Sequence, residues 1–187
     1  MTGGRERQIV ADAPFKAEYA ALPWRMGGEG TMEVLLLCPR QDGQWTVPRG
    51  TCSGTRTELR SAERAAFQDA GVTGRLGQEP VGRYRTIRVL ADGRKESCDV
   101  TVFGLHVWGT LVSWPRDTKV LRQWMPLNEA RTLVADPGLA ELLASVMSGA
   151  TIPQPDEAPL SGIPDAGRGG HVSGVASPAG MARLSAC

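Results

Sequence analysis

The residues best suited to chemistry in this chain lie between 48 and 72, PRGTCSGTRTELRSAERAAFQDAGV. A strand-like run, residues 44–47, stops at Pro48. A loop with glycines at 50 and 54 follows, and a helical pattern then runs from Glu58 to Ala70, with Gly71 after it. A loop leading into a helix after a strand gathers free backbone N–H groups and the positive end of the helix dipole in one place, which suits an anion. Arg49, Arg56 and Arg60 add positive charge there. Taken alone, the same stretch also fits an ordinary strand–loop–helix unit with solvated arginines.

The spacing resembles the Nudix box: glycine, five residues, Glu, seven residues, then Arg-Glu-apolar-x-Glu-Glu-x-Gly-apolar. Anchored on Gly50, the residues Arg64, Ala66, Gly71 and Val72 match, and Asp69 is a shortened match. Three acids are replaced: Arg56 stands for the first Glu, Ala65 for the Glu after the arginine, and Gln68 for the first of the paired glutamates. Outside the box, Ala21-Leu22-Pro23-Trp24-Arg25, Trp45-Thr46-Val47-Pro48-Arg49-Gly50 and Gly82-Arg83-Tyr84-Arg85 resemble the Nudix branch of diphosphoinositol polyphosphate phosphohydrolases and their bacterial relatives. So do Trp124, Glu129-Ala130 and the helix at 139–143.

The resemblance implies a Nudix α/β/α sandwich with a mixed central sheet, acting on a phosphoanhydride with Mg²⁺ (or Mn²⁺). In the family, carboxylates at i, i+3 and i+4 share one helix face and hold the metal against a diphosphate. The corresponding set here is Ala65, Gln68 and Asp69, so the face carries one formal negative charge where three are usual. The implied metal ligands are Gly50 through its carbonyl, Gln68 and Asp69. Asp69, Gln68 and Arg64 are the implied catalytic residues, and the site is weakened. Glu63 points roughly 160–200° round the helix from position 65 and is a poor substitute. Glu96 and Asp99 are the acids a later strand could supply. Arg25, Arg40, Arg49, Tyr84 and Arg85 are the implied substrate-binding residues, since guanidinium groups grip phosphate in bidentate fashion.

These residues need elements to position them. Residues 33–38 form a continuous apolar run, as in a strand buried on both faces. Residues 41–43 read as a turn, and 44–47 as a second strand. In the helix at 58–70, Leu59, Ala62, Ala65, Ala66 and Phe67 make an apolar stripe, Thr57 is the N-cap and Gly71 the glycine after the helix. Residues 80–89 predict a strand, 91–94 a hairpin turn, 96–108 a long alternating strand and 122–125 a short one. A helix opens at 127–130. A last one spans 139–147, with Leu139, Leu142, Leu143 and Val146 on one face. Sheet and helices mixed in this way predict an α/β layered sandwich.

Composition sets the outer bounds. The 187 residues suit one domain with tails: 1–16 flexible, 17–148 folded, and 149–187 a Gly/Pro-rich tail without aromatics, expected to be disordered. A net charge of +1 gives no pull toward nucleic acid or a membrane surface. The cysteines Cys38, Cys52, Cys98 and Cys187 form no C-x-x-C pair, and with only two histidines a structural zinc site is not expected. The N-terminus has no apolar stretch behind Arg5 and Arg7, which predicts a cytoplasmic protein. The five tryptophans and His106 read as packing residues. Two functions are compatible with these features. One is metal-dependent hydrolysis of a phosphoanhydride on a small phosphorylated metabolite, weakened by the box substitutions. The other is an inactive Nudix-fold module that binds such a metabolite or a protein partner. Oligomeric state is open.

Overall fold

Strand β1, Lys16–Met26, runs through the middle of the molecule. The computed structural model describes residues 15–40, 43–52, 55, 57–90, 92–149 and 152. Along this chain follow β2 (Met32–Pro39), β3 (Arg49–Gly50), α1 (Glu58–Ala65) continued by a π turn (Ala66–Ala70), β4 (Val72–Val89) and β5 (Lys95–Thr110). The last elements are β6 (Val120–Pro126), α2 (Leu127–Leu133) and α3 (Pro137–Met147). The sheet order is β4-β5-β1-β2-β6, with β3 paired to β1. The β1–β5 pair is parallel and the other pairs are antiparallel, so the sheet is mixed.

Helices cover both faces of this sheet. On one face Ala20, Leu22, Val34, Leu36, Val100 and Val102 pack with Ala130 of α2 and with Leu139 and Leu143 of α3. On the other, Ala21, Leu35, Leu37, Phe103 and Leu105 pack with Ala62, Ala66 and Ala70. The architecture is the expected α/β/α sandwich. Double coverage also explains β5: both of its alternating sets are buried through the middle, Val100 and Val102 on one side, Thr101 and Phe103 on the other. Each alanine on α1 brings the helix backbone close to the sheet.

Local signals account for most element ends. Thr57 accepts a hydrogen bond from the Arg60 N–H at 3.3 Å, which caps α1. Gly71 closes the π turn at φ +61°, a left-handed conformation that favours glycine. Asp136 caps α3 through the N–H groups of Gly138 and Leu139, with Pro137 in the first turn. Three expectations change. Residues 44–47 make only isolated bridges, Leu37↔Thr46 and Trp45↔Val134; the pairing with β1 begins at Arg49, after Pro48, which has no N–H to give a ladder. The strand expected at 80–89 starts at Val72, because register shifts beside Gly74 and on either side of Pro80 let β4 bend past the proline. Phe67 stands off the α1 stripe and is 43% exposed; it lies about 100° round the helix from Ala66.

All described residues fall in one compact unit, Met1–Asp156. Its core includes Ile152, four residues beyond the expected boundary at 148, buried against Gly104. The expected flexible segment up to residue 14, the tail from 153, residues 41–42 of the first turn, Ala91, Gly54, Arg56 and Cys187 lie outside the described residues. No helix among the described residues is long and apolar enough to cross a membrane.

Candidate functional site

The short β3 and the buried side of α1 meet beside Gly50. Tyr19 of β1 pairs with Gly50 and Ala20 with Arg49, which fixes β3 against the sheet. A Cβ on Gly50 would lie 3.9 Å from that of Ala65, so strand and helix are in contact here. Between them opens a cleft of about 250 Å³, whose walls include Arg49, Gly50, Arg64, Ala65, Gln68 and Asp69. The structure thus brings Arg49, Gly50, Arg64, Gln68 and Asp69 together on one cleft. A further wall residue was not foreseen: Arg116, from the segment between β5 and β6.

Two ion pairs border this cleft, Arg116 with Asp69 and Arg49 with Glu18. Arg116 Nη1 lies 3.1 Å from Asp69 Oδ1, and the Asp69 side chain is only 18% exposed. Burial pushes the Asp69 carboxyl above its ordinary value, with Arg116 acting in the opposite direction. Arg49 is held from behind. Its Nε lies 3.4 Å from Glu18 Oε2, and its Nη1 donates to the Tyr84 hydroxyl at 3.4 Å. Glu18 is 1% exposed and also takes Arg88 Nη1 at 2.5 Å. Burial pushes the Tyr84 phenol up to about 12, despite the opposing charge of Arg49.

The remaining expected substrate residues are spread more widely. Arg25 sits five residues along β1 from Ala20, roughly 16 Å at strand spacing. There it pairs with Glu33 at 2.8 Å and lies 4.3 Å over the Trp124 ring. Arg40 is exposed at the end of β2, where its N–H donates to the Lys119 carbonyl at 3.0 Å. Arg85 lies 4.4 Å over the Phe15 ring and borders a separate hollow with Gly138 and Glu141. Tyr84 is a buried partner of Arg49 with little surface to offer. Of the five, Arg49 alone lines the cleft.

No protein-family model matches the chain. Among curated proteins it is 28% identical over 146 residues to Nudix hydrolase 13, mitochondrial, of Arabidopsis thaliana, covering 70% of this chain and 72% of that one. Nudix hydrolase 4 of the same plant is 26% identical over 165 residues, 82% of this chain and 76% of that one. The fold matches a Nudix hydrolase from Nitrosomonas europaea with a TM-score of 0.58 at 15% identity, covering 75% and 93% of the two chains. The chain has the Nudix fold and is similar in sequence to Nudix hydrolases. Two further Nudix-fold neighbours are a C. elegans Ap4A hydrolase in a binary complex and the Nudix domain of Shewanella oneidensis NrtR complexed with ADP ribose. Their TM-scores are 0.55 and 0.56, at 17% and 14% identity, over 71% and 74% of this chain and 96% and 90% of theirs.

Nudix hydrolases use divalent metals, so the donor set here must be tested against one. Mg²⁺ prefers hard oxygen ligands near an octahedron, with carboxylates supplying the charge. The cleft offers one amide oxygen at Gln68, the Gly50 carbonyl and a single carboxylate at Asp69, which Arg116 already neutralises. Among the described residues no group of three His, Cys, Asp or Glu stands together as metal ligands. The residues present do not suit a divalent cation. Neither acid considered as a substitute lines the cleft. Glu96 pairs with Arg88 at 2.5 Å and Lys16 at 3.5 Å, and Asp99 lies on β5 opposite Arg85 and Ala17.

Three functional candidates escaped the sequence reading. Glu18 and Arg88 have a faint signal, since Glu18 is a lone acid in an otherwise apolar stretch of β1. Arg116 has none. It sits 47 residues from Asp69 in a segment without periodicity, and only the path from β5 to β6 brings it there.

Proposed function

We propose that this Nudix-fold protein binds a small phosphorylated metabolite carrying a phosphoanhydride, nucleoside diphosphate-linked or diphosphoinositol-type, with hydrolysis lost. The observation that carries this reading is the make-up of the cleft. Arg49, Arg64 and Arg116 line it, while the helix face that holds the family's metal presents Ala65, Gln68 and an ion-paired Asp69. Arginines recognise phosphate oxygens without a metal. The neighbour solved with ADP ribose supports a Nudix domain in a ligand-holding role. We infer a small-molecule ligand in place of nucleic acid or membrane, in keeping with a net charge of +1.

Weak hydrolysis of the same ligand class is the second reading, favoured by the curated relatives, which are named as hydrolases. One experiment separates the two. The full chain is melted with ADP-ribose, Ap4A or a diphosphoinositol phosphate, with and without Mg²⁺, and the same mixtures are assayed for product. A ligand at a hundred times its Kd adds about 2.7 kcal/mol of stability. A rise in melting temperature without turnover is the expected result. Mg²⁺-dependent turnover abolished by Asp69→Asn establishes the hydrolase instead, and neither shift nor turnover with any of the ligands refutes both.

A further inference from the structure

We infer that Arg116 is the resident cation of the cleft: its guanidinium stands where the family places a metal and binds the ligand's phosphate directly. The inference rests on the phosphate-binding reading above and names the residue that makes such binding independent of metal.

Three observations carry it. The first is position. Arg116 meets Asp69, the carboxylate best preserved from the metal-holding set, at 3.1 Å and on the same cleft wall as Gln68 and Ala65. A divalent ion brought to Asp69 would therefore face a positive charge within a few ångströms and be repelled by it.

The second is construction. The segment bearing Arg116 is tied down at several points. Trp114 Nε1 donates to the Asp69 carbonyl at 3.0 Å, and the Arg122 guanidinium lies 3.8 Å from the centre of the Trp114 ring. Ser113 Oγ donates to Asp117 Oδ2 at 2.8 Å, and the N–H groups of Lys119 and Val120 donate to the Arg116 carbonyl. The backbone that presents the guanidinium is held by both the helix end and the sheet.

The third is availability. The Arg116 side chain is 54% exposed, and among the described residues its recorded side-chain partner is Asp69. A guanidinium has five N–H donors, so one bond to Asp69 leaves capacity for a phosphate. Arg49, by contrast, is shared with Glu18 and Tyr84.

This arrangement gives Asp69 a role opposite to that of a metal ligand: it competes with the phosphate for Arg116. The test is calorimetric titration of the full chain with inorganic pyrophosphate, once in EDTA and once in Mg²⁺. Binding in EDTA is expected, weakened on the order of tenfold or more by Arg116→Ala, in line with the loss of a charge-assisted hydrogen bond, and partly restored in Arg116→Lys. Asp69→Asn, which frees the guanidinium, is expected to tighten binding in EDTA. Binding that needs Mg²⁺ and is lost in Asp69→Asn overturns the inference while leaving the cleft a phosphate site. Binding in EDTA that is indifferent to Arg116→Ala overturns it too. No binding under either condition refutes the phosphate-binding reading and the inference with it. Melting curves of each variant without ligand confirm that it is folded.

Discussion

Tyr84 shows how one buried side chain ties the site to the behaviour of the whole chain. Its phenol is pushed up to about 12 by burial, while in the unfolded chain it titrates near 10. The folded state therefore holds this proton more tightly than the unfolded state. The stability that follows is fully present below pH 10 and is lost as the pH climbs toward 12. Native protein is expected to lose about 2 kcal/mol across that window from this residue. Urea midpoints measured from pH 9 to 11.5 should fall more shallowly in Tyr84→Phe than in the parent. At the same scale the sequence was informative about neighbourhood and silent about partners. The box spacing gathered Gly50, Arg64, Gln68 and Asp69 in one cleft, because helical periodicity fixes which residues share a face. It could not show that Asp69 is answered by Arg116, or Arg49 by Glu18, since those meetings depend on segments far apart in the chain.

The element that matters most to the site is the end of its helix. The hydrogen bonding of α1 widens into a π turn over Ala66–Ala70, so the two polar residues Gln68 and Asp69 do not sit on a regular α-helical ladder. Ala65, Gln68 and Asp69, the i, i+3, i+4 set read from sequence, still line one cleft. Gly71 then reverses the chain into β4. A Cβ there would lie 2.7 Å from Trp114 Cγ and 2.7 Å from Arg122 Nη1, on top of the left-handed φ. Gly71→Ala is expected to cost at least about 2 kcal/mol, from conformational strain together with displacement of both side chains. A urea titration followed by tryptophan fluorescence checks the figure; a midpoint equal to that of the parent would show that the helix end yields easily. Helix caps were readable from sequence because Thr57 and Gly71 act through their immediate neighbours. The weak ladder at 44–47 was not, because whether a four-residue stretch pairs depends on what its neighbours leave open.

At the scale of the molecule, the sandwich was legible because hydrophobic periodicity reports burial, and burial on two faces needs helices on both sides of a sheet. Leu139, Leu142, Leu143 and Val146 form the expected apolar face of α3, and all four are buried. The boundary after α3 was placed by composition, which cannot reveal a single anchoring side chain in a Gly/Pro-rich context. Ile152 is such an anchor. It packs on Gly104, where a Cβ would stand 2.2 Å from its Cγ2, so the glycine makes the room that the isoleucine fills. A chain ending at 148 is expected to be less stable than one ending at 156 by about 2 kcal/mol, the value of burying one large aliphatic side chain. Ile152→Ala in the longer chain should reproduce most of that difference. Equal melting temperatures for the two lengths would place Ile152 outside the cooperative core.

The clamp at the end of the site helix also bears on the order in which the molecule assembles. The carbonyls of Asp69, Ala70 and Gly71 receive their hydrogen bonds from Trp114 and Arg122, residues about fifty positions further along the chain. A helix whose last acceptors are satisfied from such a distance cannot complete its end from local interactions. That end is expected to stay frayed until β4 and β5 have paired and β6 has returned to the sheet, since closing so long a loop is slow relative to forming a single helical turn; amide exchange at Ala70 and Gly71 faster than in the middle of α1 checks this. Arg116 lies on the same returning segment, so the cleft is complete only once that segment has docked on the helix end.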